Sequence, residues 1–358
     1  MDEQTRRDER KYFAASNSAD GFVSYYDACF GADCVDQLYV IKGGPGTGKS
    51  RFMRDVAEAA EAHGCDVDYY YCSSDPHSLD GIRITGLDSV RIGLIDGTAP
   101  HTWEPTLPGV REELINLGQF WDGKLLQQHS TRIRQLNRMK KQCYDLAYHY
   151  LHGCGEMEKV RDSLIQPCIV PKKIERLADR ILRNCKQGNG FYEKPALQNA
   201  VGMTGCVHFS TFENEADTLY LVEPYYGAEF HVTQALLDQS REKQLSVLVS
   251  RDPVCPQHID GLYWPVERLG VVIAPHKGAD SPTRRIYLSH YTDAALLDGL
   301  RGDLRHAKKT GKQLLEGACN CLDRAAGYHF ELESIYIEAM DFAAKEGFSR
   351  QFCQYLFG

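Results

Sequence analysis

The chain has 358 residues, a length that fits two domains rather than one. Its 43% hydrophobic and 25% charged residues sit near the globular average, which excludes wholesale disorder and a fibrous repeat. With 41 Lys and Arg against 49 Asp and Glu the net charge is −8, which argues against a protein that coats nucleic acid through its overall charge.

The first element that carries chemistry begins at Leu38. Leu-Tyr-Val-Ile-Lys (38–42) is a short apolar run that reads as a buried strand. It is followed at once by GGPGTGKS, Gly43 to Ser50, which fits the P-loop pattern G-x-x-x-x-G-K-[ST]. Phe52, Met53, Val56, Ala57 and Ala60 then recur at helical spacing, and Gly64 reads as the helix stop. Glycines at 43, 44, 46 and 48, with Pro45 and Thr47 between them, let several N–H groups converge on one anion. The start of the following helix adds its partial positive charge there. Lys49 is the expected contact to the β- and γ-phosphates of ATP, and Ser50 an expected Mg²⁺ ligand.

Asp66 to Cys72 reads as the next strand, followed by SSDPHSLDG. Asp75 and Asp80 are placed in that loop, where a carboxylate could take the proton of an attacking hydroxyl; Asp-Pro and Asp-Gly are also ordinary turn formers. Val90 to Ile95 is a further buried strand, and Asp96 at its C-terminal end is the expected second Mg²⁺ ligand. His101 is a candidate phosphate or substrate contact. No N-K-x-D run is present to read guanine, which favours ATP over GTP, and Gly97 stands where many motor ATPases carry glutamate. A helical region follows from about Leu125 to Tyr150, with Arg134, Arg138 and Lys141 on one face as either a solvated stripe or a source of a γ-phosphate contact. Asn184 to Thr204, rich in Gly, Asn and Gln, reads as a connection between domains.

The second half repeats the first in altered form. LYLVE (219–223) answers LYVIK, Gly227 answers Gly46, Asp252-Pro253 answers Asp75-Pro76, and Ile259-Asp260-Gly261 answers Leu79-Asp80-Gly81. Leu269 to Ala274 resembles the strand before Asp96, Lys312-Gln313 matches Lys141-Gln142, and Leu322 matches Leu151. The second loop is PYYGAEFH (224–231), aligned with Phe230 in place of Lys49 and Glu229 in place of Gly48, while Ala274-Pro275 answers Asp96. Such a loop should not bind a triphosphate in the usual way. The expected fold is therefore α/β, a three-layer P-loop NTPase fold with a mainly parallel sheet, duplicated as two modules with appended helices. Residues 1–195 form the intact module and 196–358 a degenerate one.

No run of about eighteen apolar residues occurs, so no membrane span is expected. The charged start MDEQTRRDERKY does not read as a secretory signal. The 13 cysteines include no CxxC pair; the closest, Cys319 and Cys321, lie on a predicted helix. They read as reduced, mostly buried small hydrophobes in a cytoplasmic protein.

GGPGTGKS, YCSSDPHSLDG, GLIDGTAPH and INLGQFWD together resemble an uncharacterised family of bacterial ATPase-like proteins with two P-loop modules in tandem. The matching positions are Gly43–Ser50, Cys72–Gly81, Asp96–His101 and Asn116–Asp122. The resemblance implies nucleotide binding and a cytosolic setting, and no substrate. In that family the second module often keeps its own P-loop, which this chain has lost. The leading expectation is an ATP–Mg²⁺ binding protein that hydrolyses ATP in its first module, using Lys49, Ser50 and Asp96. The alternatives are a phosphotransferase with Asp75 or Asp80 as base on a small-molecule acceptor, and a nucleotide-gated module that docks a protein partner. Oligomeric state is open; Arg284 and Arg285 are candidates for an arginine supplied to a neighbouring site.

Overall fold

The computed structural model describes residues 9–87, 89–99, 102–188, 190–273 and 283–358. The chain opens with β1 (Arg10–Phe13), the hairpin β2 (Ala15–Ser18) and β3 (Gly21–Ser24), α1 (Tyr26–Phe30), β4 (Gln37–Lys42) and α2 (Lys49–Ala62). It continues through β5 (Asp66–Tyr71), β6 (Leu79–Leu87), β7 (Val90–Asp96) and β8 (Glu112–Asn116). These strands form a six-stranded mixed sheet in the order β1-β5-β6-β7-β4-β8, in which β6 alone runs antiparallel to its neighbours.

Three helices follow: α3 (Gly123–Gln128), α4 (Ser130–Ile165) and α5 (Pro171–Ile181). The series then recurs as β9 (Tyr192–Pro195), the hairpin β10 (Asn199–Gly202) and β11 (Gly205–His208), α6 (Thr211–Glu215), β12 (Thr218–Val222) and α7 (Ala228–Glu242). It closes with β13 (Ser246–Arg251), β14 (Ile259–Trp264), β15 (Leu269–Ile273), β16 (Thr283–Ile286), α8 (Ala294–Glu338) and α9 (Phe342–Phe357). The second sheet has the order β9-β13-β14-β15-β12-β16, again with one antiparallel member, β14. Even the register shift between Tyr70 and Tyr71 returns between Ser250 and Arg251. Both sheets are mostly parallel, and their matching topology places an α/β unit in each half. Residues 184–204 are not a plain connection: they hold β9 and β10, because Tyr192–Pro195 continues the second sheet beside β13.

Burial on both faces explains the apolar strands. In β4, Tyr39 and Ile41 join a core with Phe52, Met53 and Val56 of α2. The alternate residues Leu38 and Val40 face the other way, toward Phe30 and, from the second sheet, Leu219 and Leu221. A shared core thus lies between the sheets, and each sheet keeps its own core on the outer face. α2 ends at Ala62, where the His63 N–H bonds the Ala59 and Ala60 carbonyls and Gly64 turns the chain with φ +80°.

The outer cores are completed by exchange. Ile174, Leu177 and Ile181 of α5 pack with Leu236 and Leu237 of α7 in the second lobe's core. Phe352 of α9 packs in the first, 5.2 Å from the Phe52 ring and 5.0 Å from the Tyr39 ring. Each of the segments 1–195 and 196–358 therefore lends a helix to the other's sheet. The crossings use matching backbone bonds. Asp122 N–H donates to Ala339 O at 2.7 Å and Asp341 N–H to Phe120 O at 2.8 Å. Asp293 N–H donates to Cys168 O at 2.7 Å and Val170 N–H to Tyr291 O at 3.0 Å. α4 and α8 run antiparallel between the lobes, with Arg132 against Glu331 near one end and Met157 against Gly311 further along.

All 13 cysteines are unbridged and nine are buried. Among the described residues, no helix is long and apolar enough to cross a membrane.

Candidate functional site

The glycine-rich segment leaves β4 and enters α2 through two residues in the left-handed region, Gly46 (φ +69°) and Gly48 (φ +76°). A side chain at either position would strain the backbone, and at Gly46 a Cβ would stand 2.8 Å from the Glu333 carbonyl oxygen. Thr47, fully buried, closes the bend by donating its hydroxyl to Gly44 O at 2.8 Å. Lys49, the first residue of α2, folds back so that its ammonium donates to Gly44 O at 2.8 Å and Gly43 O at 3.1 Å.

Register brings the carboxylate. Ile41 of β4 lies beside Asp96 of β7, so the end of one strand delivers the loop and the end of the next delivers the acid. Asp96 Oδ2 is 3.4 Å from Lys49 Nζ, both side chains being mostly buried. Its other oxygen accepts from Thr98 N at 2.9 Å and Thr98 Oγ1 at 2.5 Å, which fixes the carboxylate's orientation. Ser50 accepts the Leu79 N–H at 2.9 Å, tying α2 to the start of β6. Lys49 and Asp96 thus stand side by side, and Ser50, next in α2 after Lys49, has its hydroxyl turned to the start of β6.

The two other aspartates separate. Asp75 stays in the β5–β6 loop and caps the His77 N–H at 3.1 Å. Asp80 is not in the loop: it is the second residue of β6, buried, and hydrogen-bonded to Tyr26 and Cys72. Burial and this carboxylate push the Tyr26 hydroxyl and the Cys72 thiol well above their ordinary values. A base for an acceptor hydroxyl therefore has Asp75 as its better-placed candidate. His101 lies outside the described residues.

The remaining walls come from elements that no local sequence signal connects to the loop. Tyr336 of α8 and Trp121 press on Gly44, with their rings 5.7 Å apart. Glu333, one turn earlier on α8, lies over Gly46, whose N–H favours its carboxylate. Burial and the Asp75 charge outweigh that N–H and Lys49, and the Glu333 pKa lies above the ordinary value. His329, one turn further back, is pushed down to about 4 by burial, with the Lys140 and Lys49 ammoniums adding to the fall. Lys140 of α4 is half-buried; burial and Lys49 lower its pKa. Tyr144, on the same face of α4, hydrogen-bonds Ser74. Behind the loop, Lys345 of α9 is buried with its ammonium 3.6 Å from Asp55.

The cations singled out from the helical pattern lie elsewhere. Arg134, Arg138 and Lys141 are exposed, and Lys141 pairs with Asp145 at 2.8 Å. Lys140, their immediate neighbour, is the one that turns toward the loop. Arg284 stacks on Tyr220 and Arg285 pairs with Glu223, both within the second sheet.

The second lobe corrects the pairing read from sequence. The buried positions of α2 (Phe52, Met53, Val56, Ala57, Ala60) match Val232, Thr233, Leu236, Leu237 and Ser240 of α7. The connection before α7 is therefore one residue shorter, and Glu229 rather than Phe230 takes the place of Lys49. Its carboxylate accepts from Tyr225 N at 2.7 Å and Gly227 N at 3.1 Å, with Arg161 at 3.9 Å. Phe230 matches Ser50 and stacks on His258, ring centroids 4.0 Å apart. His258 in turn bonds Asp162 at 2.8 Å. Asp252 does not correspond to Asp75. The bond from Asp252 N to His258 O repeats that from Cys72 N to Ser78 O, so Asp252 matches Cys72 and Cys255 matches Asp75. Ile273 pairs with Val222 as Asp96 pairs with Ile41, so Ile273 takes the place of Asp96 in the second lobe; Ala274 and Pro275 lie outside the described residues.

Among the described residues, no group of three or more His, Cys, Asp or Glu side chains is arranged to hold a metal. A hydroxyl and one carboxylate suit a hard cation that takes most of its other ligands from water and phosphate. Comparison with protein-family models, with curated proteins and with solved structures gave no match.

Proposed function

We propose that the protein is a P-loop NTPase of three-layer α/β build, related to the tandem ATPase-like family, that binds ATP with Mg²⁺ and hydrolyses it in the first lobe only. What supports this most is one juxtaposition: the Lys49 ammonium bonded to the loop carbonyls and 3.4 Å from Asp96. On this reading Gly43 to Gly48 line the phosphates and Lys49 leaves its carbonyl partners to meet them, since a charged oxygen is the stronger acceptor. Ser50 and Asp96 hold Mg²⁺, which when bound neutralises phosphate charge. The second lobe is a pseudo-NTPase, because Glu229 brings an anion where Lys49 brings a cation.

Transfer to an acceptor hydroxyl is a second reading, favoured by the charge of Asp75 acting on His329 and Glu333 of α8. Phosphate release in ATP and Mg²⁺ without acceptor separates the two. A hydrolase releases phosphate and loses it in Lys49→Ala. A phosphotransferase releases little until an acceptor is supplied, and Asp75→Asn then stops transfer while ATP binding persists. Lys49→Ala is expected to weaken ATP binding by about 2–3 kcal/mol in calorimetry, the worth of a hydrogen bond to a charged group. Unchanged binding would remove the assignment.

A further inference from the structure

Of the 13 thiols Cys206 alone is exposed, and it lies in the two-stranded hairpin of β10 and β11. Cys206 is paired across that hairpin with Val201, so the two side chains share a face. Val201 is fully buried in a cluster with Ala318 and Leu322 of α8, and Cys319 packs against the same cluster. α8 lies along both strands of the hairpin. Strand register and helix packing thus bring exposed Cys206 and half-buried Cys319 together.

Chemistry separates this pair from its neighbours. Cys206 donates its S–H to the Cys319 sulfur, which brings the Cys319 thiol down to about 7 against burial and the Glu316 charge. The same bond pushes the Cys206 thiol up. Cys154 and Cys255, members of the same cluster, are pushed up by burial and are almost sealed from solvent. The first-lobe hairpin turns at Gly21 as the second turns at Gly205, with φ +91° and +90°, but it carries Phe22 in the place of Cys206. The fold therefore does not require a thiol there.

We propose that Cys206 and Cys319 form a reversible disulfide that clamps the hairpin to α8, with a low-molecular-weight disulfide as the oxidant. The Cys319 thiolate attacks one sulfur of the small disulfide, whose S–S bond breaks, and one small thiolate leaves. Cys206 gives its proton to solvent, attacks the Cys319 sulfur and expels the second small thiolate. Two protein thiols are oxidised, and one small disulfide is reduced to two thiols. The clamp reaches the candidate site from outside: the Met203 N–H at the hairpin turn donates to Ser74 O at 2.7 Å, one residue before Asp75. The pairing holds whether or not the first lobe binds ATP.

Incubation of the folded full chain with glutathione disulfide, then maleimide blocking and non-reducing peptide mapping, tests it. The expected product has two fewer free thiols, a linked Cys206–Cys319 peptide and no retained glutathione, and dithiothreitol restores both thiols. Stable glutathione on wild-type Cys206 or Cys319, a linkage between other cysteines, a disulfide-linked dimer or no loss of thiols would overturn the proposal. Cys206→Ser, a change at an exposed position, is expected to leave glutathione trapped on Cys319; an unmodified Cys319 there would remove its role as the attacking sulfur. Hydrogen exchange at the Met203 amide is expected to slow in the linked chain, and unchanged exchange would overturn the clamp.

Discussion

Lys49 and Glu229 occupy one backbone position in two copies of a loop, and their opposite charges make opposite bonds. The ammonium donates to the carbonyls of Gly43 and Gly44; the carboxylate accepts the N–H groups of Tyr225 and Gly227. Glu229→Ala leaves those donors unpaired in a buried loop and strips Arg161 of a neighbouring charge. Urea unfolding is expected to show a loss of about 2–4 kcal/mol, with Glu229→Gln losing less because an amide oxygen still accepts. His329 carries a pH dependence. Its folded pKa, about 4, lies below the ordinary 6.5. Between these values the unfolded chain binds the proton and the folded chain does not, so stability falls as pH drops from about 6.5 toward 4. His329→Gln removes this contribution. Its stability relative to wild type should rise as unfolding is repeated from pH 7 down to pH 4, and a constant difference would contradict the assignment.

At the scale of elements, the glycine-rich bend is shaped by the helix above it as much as by its own backbone. Gly46→Ala combines a left-handed φ with a Cβ 2.8 Å from a backbone oxygen of α8, which a side-chain rotation cannot relieve. Gly48→Ala has similar φ strain but its nearest neighbour is the Lys345 Cε at 3.5 Å. Gly46→Ala is therefore expected to destabilise by more than the roughly 1–2 kcal/mol of conformational strain alone, and Gly48→Ala by about that strain. Thermal unfolding of both variants measures the difference. α9 belongs to the first lobe despite its place at the end of the sequence. Phe352→Ala is expected to cost about 3 kcal/mol or more through the cavity it leaves. Hydrogen exchange should quicken in β4 and α2 more than in β12 and α7.

Taken whole, the molecule is two α/β units tied by exchanged helices. α5 completes the second outer core and α9 the first, so neither half carries every residue its own core needs. Residues 1–195 expressed alone are expected to lack cooperative unfolding. Co-expression with 196–358 should restore a heterodimer by size-exclusion chromatography and circular dichroism. Independent two-state folding of the first half would show that α9 is dispensable. The long antiparallel pair α4 and α8 also gives each site a wall from a distant part of the chain, which a tandem array of separate modules would not have.

Local pattern determined a good deal. The apolar run before Gly43, the periodic residues after Ser50 and the strand ending in Asp96 place strand, bend, helix and acid without knowledge of the rest, because hydrophobic period and glycine freedom are short-range properties. The repetition of LYVIK as LYLVE likewise marks two units. Pairings that depend on loop length could not be read there. One missing residue before α7 moves Glu229 onto the Lys49 position, and the loops after β5 and β13, equal in length, set Asp252 at the Cys72 position, three residues short of that of Asp75. Asp80 looked like a turn residue because Asp-Gly usually is one, yet strand pairing buries it beside Tyr26. Lys140, His329, Glu333 and Tyr336 lie up to nearly three hundred residues from the bend they enclose. Only the folding of α8 back along α4 brings them there, since their charge and spacing are equally those of a solvated helix face.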